Sequence, residues 1–425
     1  MSGIPAGTGP ANAPGFSGSA RLMICIVLLS LINAAFWAPS LASVIAGMLS
    51  ASPPADFANR DFANYWISGR LALGGGLEAL ATQPAHQAAL EASFGLAQME
   101  PRAWSYPPHF LLVTWPLGLM SYPAAYALFM ALTGGWFGWA VWCCAREAAG
   151  ENARRVYAAA MVLLGPFIVL QVFAGQNGFF FGAAMLQALL WRRSRPMAAG
   201  FMLAILTMKP QLGLLLPFLL LFERRFATIV WAVLFTGLMV GLSVLCFGLA
   251  PWTAFFASTL PYQQYVAAHW SGQFLYMMPT WFAALRAAGA GHEVALAAHI
   301  GLAATFVLAG LAAMTRCPDD VARSRLIIAA TFVLTPYAFN YDLGALLALA
   351  GLQLAARRSP EASGWTAALA GGLVMALPLW TPLLGRPDLL LLLPPLVLTG
   401  LLLHWAWPGL AAFRTALVTR AASVS

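Results

Sequence analysis

The chain has 425 residues, of which 61% are hydrophobic and only 8% are charged. A soluble domain carries about a quarter charged residues, so this composition excludes a water-exposed globular protein. Apolar runs of about 17–25 residues, the length that a helix needs to cross hydrocarbon, recur through most of the sequence. The predicted fold class is therefore an all-α polytopic membrane protein.

The formal net charge of +8 is carried by arginines that cluster between the apolar runs. With a cytoplasmic N-terminus, sixteen of the 22 basic residues fall on one side of the membrane, as the positive-inside rule requires. This distribution argues against nucleic acid as a partner. It predicts a multi-pass membrane protein with both termini in the cytoplasm. The sixteen residues are Arg21, Arg146, Arg154, Arg155, Arg192, Arg193, Arg195, Arg224, Arg225, Arg316, Arg323, Arg325, Arg357, Arg358, Arg414 and Arg420.

Polarity divides the chain into one membrane domain with two tails. We predict that residues 1–20 form a disordered cytoplasmic tail, residues 21–410 a single transmembrane domain, and residues 411–425 a second cytoplasmic tail. Two polar stretches, 51–105 and 250–290, are predicted to be outer, periplasmic loops that contain interfacial helices. A loop as long as the first is uncommon without a function.

About 12 transmembrane helices are predicted, and one region fits the rules poorly. The segment that opens with Tyr106-Pro107-Pro108 contains two apolar runs, but two crossings would put the arginines of 146–155 outside. One full crossing is preferred, with the Pro-Pro segment as a partial or re-entrant helix. The predicted spans are 22–49, one within 106–145, 156–173, 177–190, 197–208, 211–222, 226–249, 294–314, 325–338, 342–356, 363–380 and 388–407.

Lys209 is the only lysine of the chain and lies in Thr207-Met208-Lys209-Pro210-Gln211, between two short apolar runs. Ionisable groups within hydrocarbon are costly, which makes them functional candidates. A compact ammonium group beside a proline that breaks the helix suits an anionic group such as phosphate. The alternative is an interfacial lysine whose charge reaches out to water.

Two further polar spots lie at the outer ends of apolar runs. Asp342 either belongs to the same site or satisfies free N–H groups at the start of a helix. Gln176 and Asn177 lie in the sequence Gly-Gln-Asn-Gly, which is good turn chemistry by itself and can alternatively present two polar side chains to a sugar. The sequence leaves both pairs of readings open.

Asp61, just beyond the first span, is the strongest candidate for an acid–base residue. It lies in a segment of carboxylate, aromatic and amide side chains, 56–66, that can hold a sugar hydroxyl and remove its proton. One catalytic carboxylate with in-line displacement predicts inversion at the sugar, whereas a hydrolase needs a second carboxylate across the bond. The alternative is a solvated loop with two ordinary aspartates, Asp56 and Asp61.

Other chemistries lack their signatures. The sequence has no Walker loop, dinucleotide fingerprint or nucleophile elbow, and its five cysteines lack ligand spacing. No acidic cluster with ligand spacing is visible, so neither a metal nor another cofactor is predicted. Broken apolar segments with ionisable residues also occur in transporters, which keeps a transporter or flippase as an alternative.

Taken in order, five motifs resemble glycosyltransferase family 87, membrane enzymes of the GT-C superfamily with mannosyltransferase members. The resemblance runs from about residue 56 to about residue 345, and it rests on the order and spacing of motifs that are each weak alone. The motifs are Asp61-Phe62-Ala63-Asn64-Tyr65-Trp66 with Gly69-Arg70, Tyr106-Pro107-Pro108 with Trp115-Pro116-Leu117, Gly175-Gln176-Asn177-Gly178, Lys209-Pro210-Gln211, and Pro336-Tyr337 with Tyr341-Asp342-Leu343.

The resemblance implies a GT-C-type fold with its active site on the outer face. It implies transfer of a hexose, often mannose, from a polyprenyl-phosphate sugar to a lipid or glycan acceptor, with no cofactor. The runner-up is a transporter or flippase of a lipid-linked or small polar substrate. A third alternative is a ligase-like GT-C enzyme that moves a whole glycan from a diphosphate lipid.

The resemblance also assigns roles to residues. Family members use an aspartate of the first outer loop as general base, and this role carries over to Asp61. Asp56 is the second candidate, because it repeats the Asp-Phe-Ala-Asn pattern. Lys209 is the candidate for stabilising the phosphate charge, helped by Arg70 or His109. The predicted substrate- and donor-binding residues are Lys209, Gln176, Asn177, Arg70, Tyr65, His109, Tyr106, Gln211, Tyr341 and Asp342.

One position departs from the family pattern. Some relatives place a histidine near the last motif, where this chain has Asn340-Tyr341-Asp342. The nature of the phosphate contact at this point is therefore open.

Overall fold

The computed structural model describes residues 18–50, 54–317, 319–356 and 392–422, and these residues form helices and no strand. The α-helices are α1 (Gly18–Leu49), α2 (Ala55–Ala58), α3 (Ala63–Gly74), α4 (Gln83–Phe94), α5 (Leu111–Thr114), α6 (Tyr122–Ala149), α7 (Ala153–Leu163), α8 (Gly165–Ala174), α9 (Gly178–Trp191), α10 (Pro196–Leu206), α11 (Leu216–Phe222), α12 (Phe226–Phe247), α13 (Ala250–Ala254), α14 (Leu260–His269), α15 (Gln273–Tyr276), α16 (Trp281–Ala287), α17 (His292–Met314), α18 (Asp320–Leu334), α19 (Gly344–Ala355) and α20 (Leu393–Ala422).

Short 3-10 helices link several of these elements. They lie at Leu77–Leu80, Pro108–Phe110, Trp115–Leu119, Gly150–Asn152, Pro210–Gly213 and Asn340–Asp342, and Phe255–Thr259 forms a π-helical turn. The predicted span 363–380 and most of the predicted tail 1–20 lie outside the described residues.

Within the described ranges, four helical segments are long and apolar enough to cross a membrane. They are Tyr122–Leu163, Phe226–Phe247, His292–Met314 and Leu393–Ala412. The first contains α6 and α7, which pack against each other on either side of the turn at Gly150–Asn152. The all-α class is confirmed and the apolar helices agree with a membrane protein, whereas the number of about 12 spans stays a prediction.

Two predicted boundaries differ from the structure. The predicted span 156–173 is divided into α7 and α8, because Pro166 has no N–H with which to continue the helical hydrogen bonds. α20 continues past the predicted end of the last span at residue 407, so the described part of the predicted tail 411–425 is helical, and its cytoplasmic position stays a prediction.

The part of the bundle that carries Lys209 is a broken helix. α10 packs against both α9 and α12. Its 11 residues span about 16 Å, well short of a hydrocarbon core of about 30 Å. The chain then leaves the α conformation, with Lys209 at φ −141° and ψ 72°, and continues through a 3-10 helix that begins at Pro210. The short predicted pair 197–208 and 211–222 is therefore interrupted at the residue that the sequence singled out.

The first outer loop is folded tightly onto the Pro-Pro segment that follows it. A Cβ atom at Gly69 of α3 would lie 2.3 Å from the carbonyl oxygen of Thr114, and one at Gly118 would lie 2.4 Å from the carbonyl carbon of Gly69. Only glycine permits this approach at both positions. Pro108–Leu119 consists of three short helical pieces, which agrees with the prediction that this segment is not a full transmembrane helix.

An aromatic cluster anchors the chain next to Asp61. The fully buried ring of Phe62 has its centroid 4.8–6.0 Å from the rings of Tyr65, Tyr122 and Tyr126. Such aromatic pairs add to the free energy of burial. Asp61 is therefore attached to a rigid part of the fold and does not lie in a freely solvated loop.

Candidate active site

Asp61 lies against the turn that precedes α9. Its backbone N–H donates to the carbonyl oxygen of Ala174 at 3.1 Å. The side-chain amide of Gln176 donates from Nε2 to Asp61 Oδ2 at 2.7 Å. The Asp61 side chain is 38% exposed, whereas Gln176 is buried. The predicted base is thus held from the buried side and open on the other.

The hydrogen bonds behind Gln176 run in one direction, towards Asp61. Tyr65 OH donates to Gln176 Oε1 at 2.9 Å, and Tyr65 and Tyr106 share a hydrogen bond of 3.1 Å between their hydroxyls. Because the proton of Tyr65 is used at Gln176, Tyr106 is the donor to Tyr65. Asn177 Nδ2 in turn donates to Tyr106 OH at 2.7 Å.

The relay, which we define as Asn177, Tyr106, Tyr65 and Gln176, therefore ends on the carboxylate of Asp61. Hydrogen bonds in such a chain polarise one another, so each step strengthens the last donation. Burial raises the pKa of Tyr65 well above its ordinary value, and burial likewise raises the pKa of Tyr106. Both phenols stay protonated and act as donors.

The packing of the turn between α8 and α9 requires a glycine at position 178. A Cβ atom at Gly178 would lie 1.8 Å from the carbonyl oxygen of Tyr341, which no side chain tolerates. Gln171 bridges the same contact, because its Nε2 donates to Tyr341 O at 2.7 Å and its Oε1 accepts from Gly178 N–H at 3.0 Å. The Gly-Gln-Asn-Gly sequence is thus both a turn and the point where the last motif docks.

Lys209 and Asp342 form a buried ion pair. The Nζ atom of Lys209 lies 2.5 Å from Asp342 Oδ1, and both side chains are at most 7% exposed. The ammonium group also lies 4.9 Å from the ring centre of Tyr341. The snorkelling interpretation of Lys209 is wrong, because its charge is met by a carboxylate 133 residues away in the chain.

The structure gives Asp342 a part of each of its two predicted roles, contact with Lys209 and capping of a turn. Its Oδ2 accepts from the backbone N–H of Phe339 at 3.3 Å, which caps the 3-10 turn Asn340–Asp342 rather than the start of α19. Its other oxygen belongs to Lys209. The side chain therefore fixes its own turn and also pairs with the broken helix.

His109 lies beside the segment that holds Lys209. Its Nε2 is 3.0 Å from Thr207 Oγ1, and its ring stacks on Trp252 with 5.6 Å between centroids. The Thr207 hydroxyl already donates to the carbonyl oxygen of Ala204, so Nε2 of His109 must carry the proton. This tautomer leaves a lone pair on the buried Nδ1, which does not suit a phosphate anion.

Three predicted site residues lie apart from this arrangement. Arg70 is exposed, with its guanidinium group 5.2 Å from the ring centre of Trp66. Asp56 is exposed in the first turn of α2 and, among the described residues, makes no hydrogen bond to the relay. The carbonyl oxygen of Gln211 accepts from Thr335, and its side chain joins neither Asp61 nor Lys209 within the described part of the chain.

Arg102 is the residue near the base that the sequence did not single out. Its Nη2 lies 3.7 Å from Asp61 Oδ1, while both terminal nitrogens donate to Asn59, at 2.7 and 2.6 Å. The guanidinium group is buried and held by these bonds. Arg102 was visible in the sequence only as one of several charged residues of a long loop, without spacing to mark it.

Among the residues that the structure describes, no group of three His, Cys, Asp or Glu side chains lies close enough to hold a metal ion. The metal-independent reaction predicted from the sequence therefore stays a prediction.

Comparison with known proteins gives one finding. The sequence model of glycosyltransferase family 87 matches residues 104–339, more than half of the chain. No curated protein and no solved structure matches the chain. The matched range is shorter than the resemblance of about 56 to 345 drawn from motifs. It contains Tyr106, Gln176 and Lys209 but neither Asp61 nor Asp342.

Proposed function

The chain belongs to glycosyltransferase family 87, and we propose that it transfers a hexose from a polyprenyl-phosphate sugar to a lipid or glycan acceptor. Mannose is the first sugar to test, because the family that the chain resembles has mannosyltransferase members. Membership in the family supports sugar transfer itself and gives no support to a transporter or flippase. The donor class, the sugar and the stereochemistry are the proposal.

The observation that carries the proposal is the hydrogen bonding of the Asp61 carboxylate, which differs between its two oxygens. Oδ2 accepts the hydrogen bond from Gln176, and Oδ1 accepts none from the described residues. The nearest nitrogen of Arg102 lies 3.7 Å from Oδ1, which is beyond hydrogen-bond distance. Oδ1 is therefore the oxygen proposed to receive the proton of an acceptor hydroxyl.

The proposed reaction is a single displacement with Asp61 as general base. The acceptor oxygen forms a bond to the anomeric carbon while the bond from that carbon to the phosphate oxygen breaks, and its electron pair leaves with the phosphate. Asp61 Oδ1 takes the hydroxyl proton as the new bond forms. Attack opposite the leaving group inverts the anomeric configuration.

Phosphate is already a good leaving group, so the protein needs to stabilise its charge rather than protonate it. Lys209 is the proposed contact, since an ammonium group has three donors and Asp342 takes one. Asn177 is proposed to bind the sugar. Its Oδ1 is buried without a hydrogen-bond partner among the described residues and suits a sugar hydroxyl as donor.

We propose that the site faces the outer side of a bacterial cytoplasmic membrane. The relay lies at the N-terminal end of α9, and the arginines at 192 and 193 follow its C-terminal end. The 14 residues of α9 separate the two ends by about 20 Å. The positive-inside rule assigns the arginine end to the cytoplasm.

The first test is transfer from radiolabelled polyprenyl-phosphate mannose to a lipid extract, in membranes that contain the full-length protein. We expect Asp61→Asn to abolish transfer while expression and thermal unfolding stay unchanged. The matched control Asp56→Asn removes an equal charge five residues earlier, from an exposed position, and should retain activity within about twofold.

Turnover by Asp61→Asn at the rate of the unaltered protein would remove Asp61 from the mechanism. Loss of activity in Asp56→Asn alone would make Asp56 the base. The anomeric configuration of the product, read by NMR, tests inversion separately. Parallel assays with other polyprenyl-phosphate hexoses and with a chelator test the sugar and the absence of a metal.

A further inference from the structure

The end of the bundle away from the relay carries an ion cluster built around the buried pair of Arg192 and Glu223. We define the arginine cluster as Arg192, Arg193, Arg225 and Arg323 with the carboxylates of Glu223 and Asp320. These residues come from the turns that follow α9 and α11 and from the first turns of α18. Sequence positions more than a hundred residues apart thus meet at one end of the bundle.

Arg192 makes hydrogen bonds to α9, to the turn that follows α11 and to α18. Its Nε and Nη2 bind both oxygens of Glu223 at 2.8 and 3.0 Å. Its remaining donors bind the carbonyl oxygens of Leu189 and Asp320 and the hydroxyl of Ser324. All five guanidinium N–H groups are used, so Arg192 is saturated by the protein itself.

Glu223 stays ionised within this cluster. Its side chain is 1% exposed, and burial by itself would raise its pKa. The hydrogen bonds and positive charges of the arginines outweigh that burial and lower the pKa of Glu223 below its ordinary value. Arg192 therefore makes the hydrogen bonds to Glu223, while Arg193, Arg225 and Arg323 approach the same carboxylate at 3.5–3.9 Å.

The other three arginines share Asp320 and the longer contacts to Glu223. Arg193 Nε lies 2.8 Å and Arg323 Nη1 lies 3.2 Å from Asp320, while the nearest carboxylate oxygen to Arg225 is that of Glu223, at 3.6 Å. Four guanidinium groups against two carboxylates give a surplus of two positive charges. Within the described residues, the terminal nitrogens of Arg193 and Arg225 make no hydrogen bond, and these side chains are 46% and 28% exposed.

Exposed apolar side chains follow or precede these arginines closely in the chain, and the ring centre of Phe222 lies 5.9 Å from the guanidinium carbon of Arg323. Phe222, Phe226 and Met197 are 44%, 59% and 55% exposed. A soluble anion needs only the guanidinium groups, whereas a lipid also needs an apolar surface for its acyl chains. Guanidinium groups bind phosphate oxygens well, and basic pockets between membrane helices bind anionic headgroups.

We propose that Arg193 and Arg225 form a binding site for the phosphate of an anionic phospholipid, with the acyl chains along Phe222 and Phe226. The site lies at the end of α9 opposite to the relay and does not depend on the proposed reaction. It fits the surplus charge, the free donors and the apolar surface together. Arg192 belongs to the helix contact and takes no part in lipid binding.

The test uses the full-length protein, exchanged into mixed micelles that contain equal amounts of phosphatidylglycerol and phosphatidylcholine. Native mass spectrometry counts each lipid that the protein retains. We expect preferential retention of phosphatidylglycerol, and a fall in its affinity of about fivefold for each arginine removed, equivalent to about 1 kcal/mol per basic side chain. The double variant Arg193→Gln/Arg225→Gln should thus lose about 25-fold.

The matched control is Arg146→Gln/Arg154→Gln. It removes the same charge from two exposed arginines. They lie at the same end of the bundle, where Trp139 of α6 contacts Trp191 of α9. The control should change phosphatidylglycerol retention by less than about twofold. If the double cluster variant does not fold, Arg193→Gln alone serves, because that side chain is the most exposed of the four.

Equal losses in the cluster variant and the control would overturn the proposal, because the effect would then come from overall charge. Equal retention of both lipids by the unaltered protein would also overturn it. A third arm adds inorganic phosphate to the protein in neutral detergent. Saturable phosphate binding at Arg193 and Arg225 without any preference for phosphatidylglycerol would assign the cluster to a soluble anion and reject the lipid.

Discussion

Replacing Gln176 tests whether the relay acts on Asp61. The substitution Gln176→Leu keeps a similar volume and removes the hydrogen bond of 2.7 Å to Asp61 Oδ2. It also leaves Tyr65 OH without its acceptor. The carboxylate then loses both a donor and its fixed orientation towards the acceptor hydroxyl.

The size of the effect follows from the strength of a hydrogen bond to a charged group, about 1.5–3 kcal/mol. Asp61 is 38% exposed, so water replaces part of this bond and the lower end of the range applies. A loss of about 1.5 kcal/mol in the transition state corresponds to roughly a tenfold lower kcat. Because Gln176 acts through Asp61, KM should change little.

The relay also predicts an order of effects. Tyr65→Phe removes the group that orients the amide of Gln176, whereas Tyr106→Phe removes the donor behind Tyr65 and the acceptor of Asn177 Nδ2. We expect kcat to fall most for Gln176→Leu, less for Tyr65→Phe and least for Tyr106→Phe, because polarisation weakens with each step. The assay is initial-rate transfer at several donor concentrations, with thermal unfolding of each variant as the control for folding. An unchanged kcat in Gln176→Leu, or a larger loss in Tyr106→Phe than in Gln176→Leu, would refute the relay.

Three further predictions concern stability and donor binding. Lys209→Met should lower the unfolding temperature and weaken donor binding, because it leaves Asp342 buried without a partner at a cost of about 3–5 kcal/mol. The double variant Lys209→Met/Asp342→Leu should recover most of the stability but not the donor affinity, and recovery of both would show a purely structural pair. Gly178→Ala should abolish folded protein, because its Cβ would lie 1.8 Å from a backbone oxygen, whereas Gly135→Ala in the same bundle meets nothing within 4 Å and should fold normally. Burial lowers the pKa of His86 to about 4, so the unfolded chain binds its proton first and stability should fall as the pH drops from about 6.5 to about 4. A chemical-denaturation series across this pH range should show that slope, and the slope should be smaller in His86→Gln.

The sequence singled out several polar residues that the structure brings together, while their roles in a reaction stay predictions. Asp61, Gln176 and Lys209 were found because polar groups in an apolar chain are costly and few. Arg70 was predicted for the site because it stands in a motif, but its side chain leaves α3 on the exposed side. Arg102 was passed over because a charged residue in a long polar loop carries no pattern, and only the folding of the loop brings it to Asp61.

The length of the apolar runs and the scarcity of charged residues by themselves determined that this protein is helical and belongs in a membrane. Burying unpaired backbone groups or charges in hydrocarbon is costly, and this cost allows few other structures. They also located the break at Lys209, because a proline cannot continue a helix. Only the tertiary structure decided the partners. Gln176 meets Asp61 across 115 positions of sequence, and Lys209 meets Asp342 across 133. Such contacts depend on how helices pack and which way each side chain points, and no local pattern of residues encodes either.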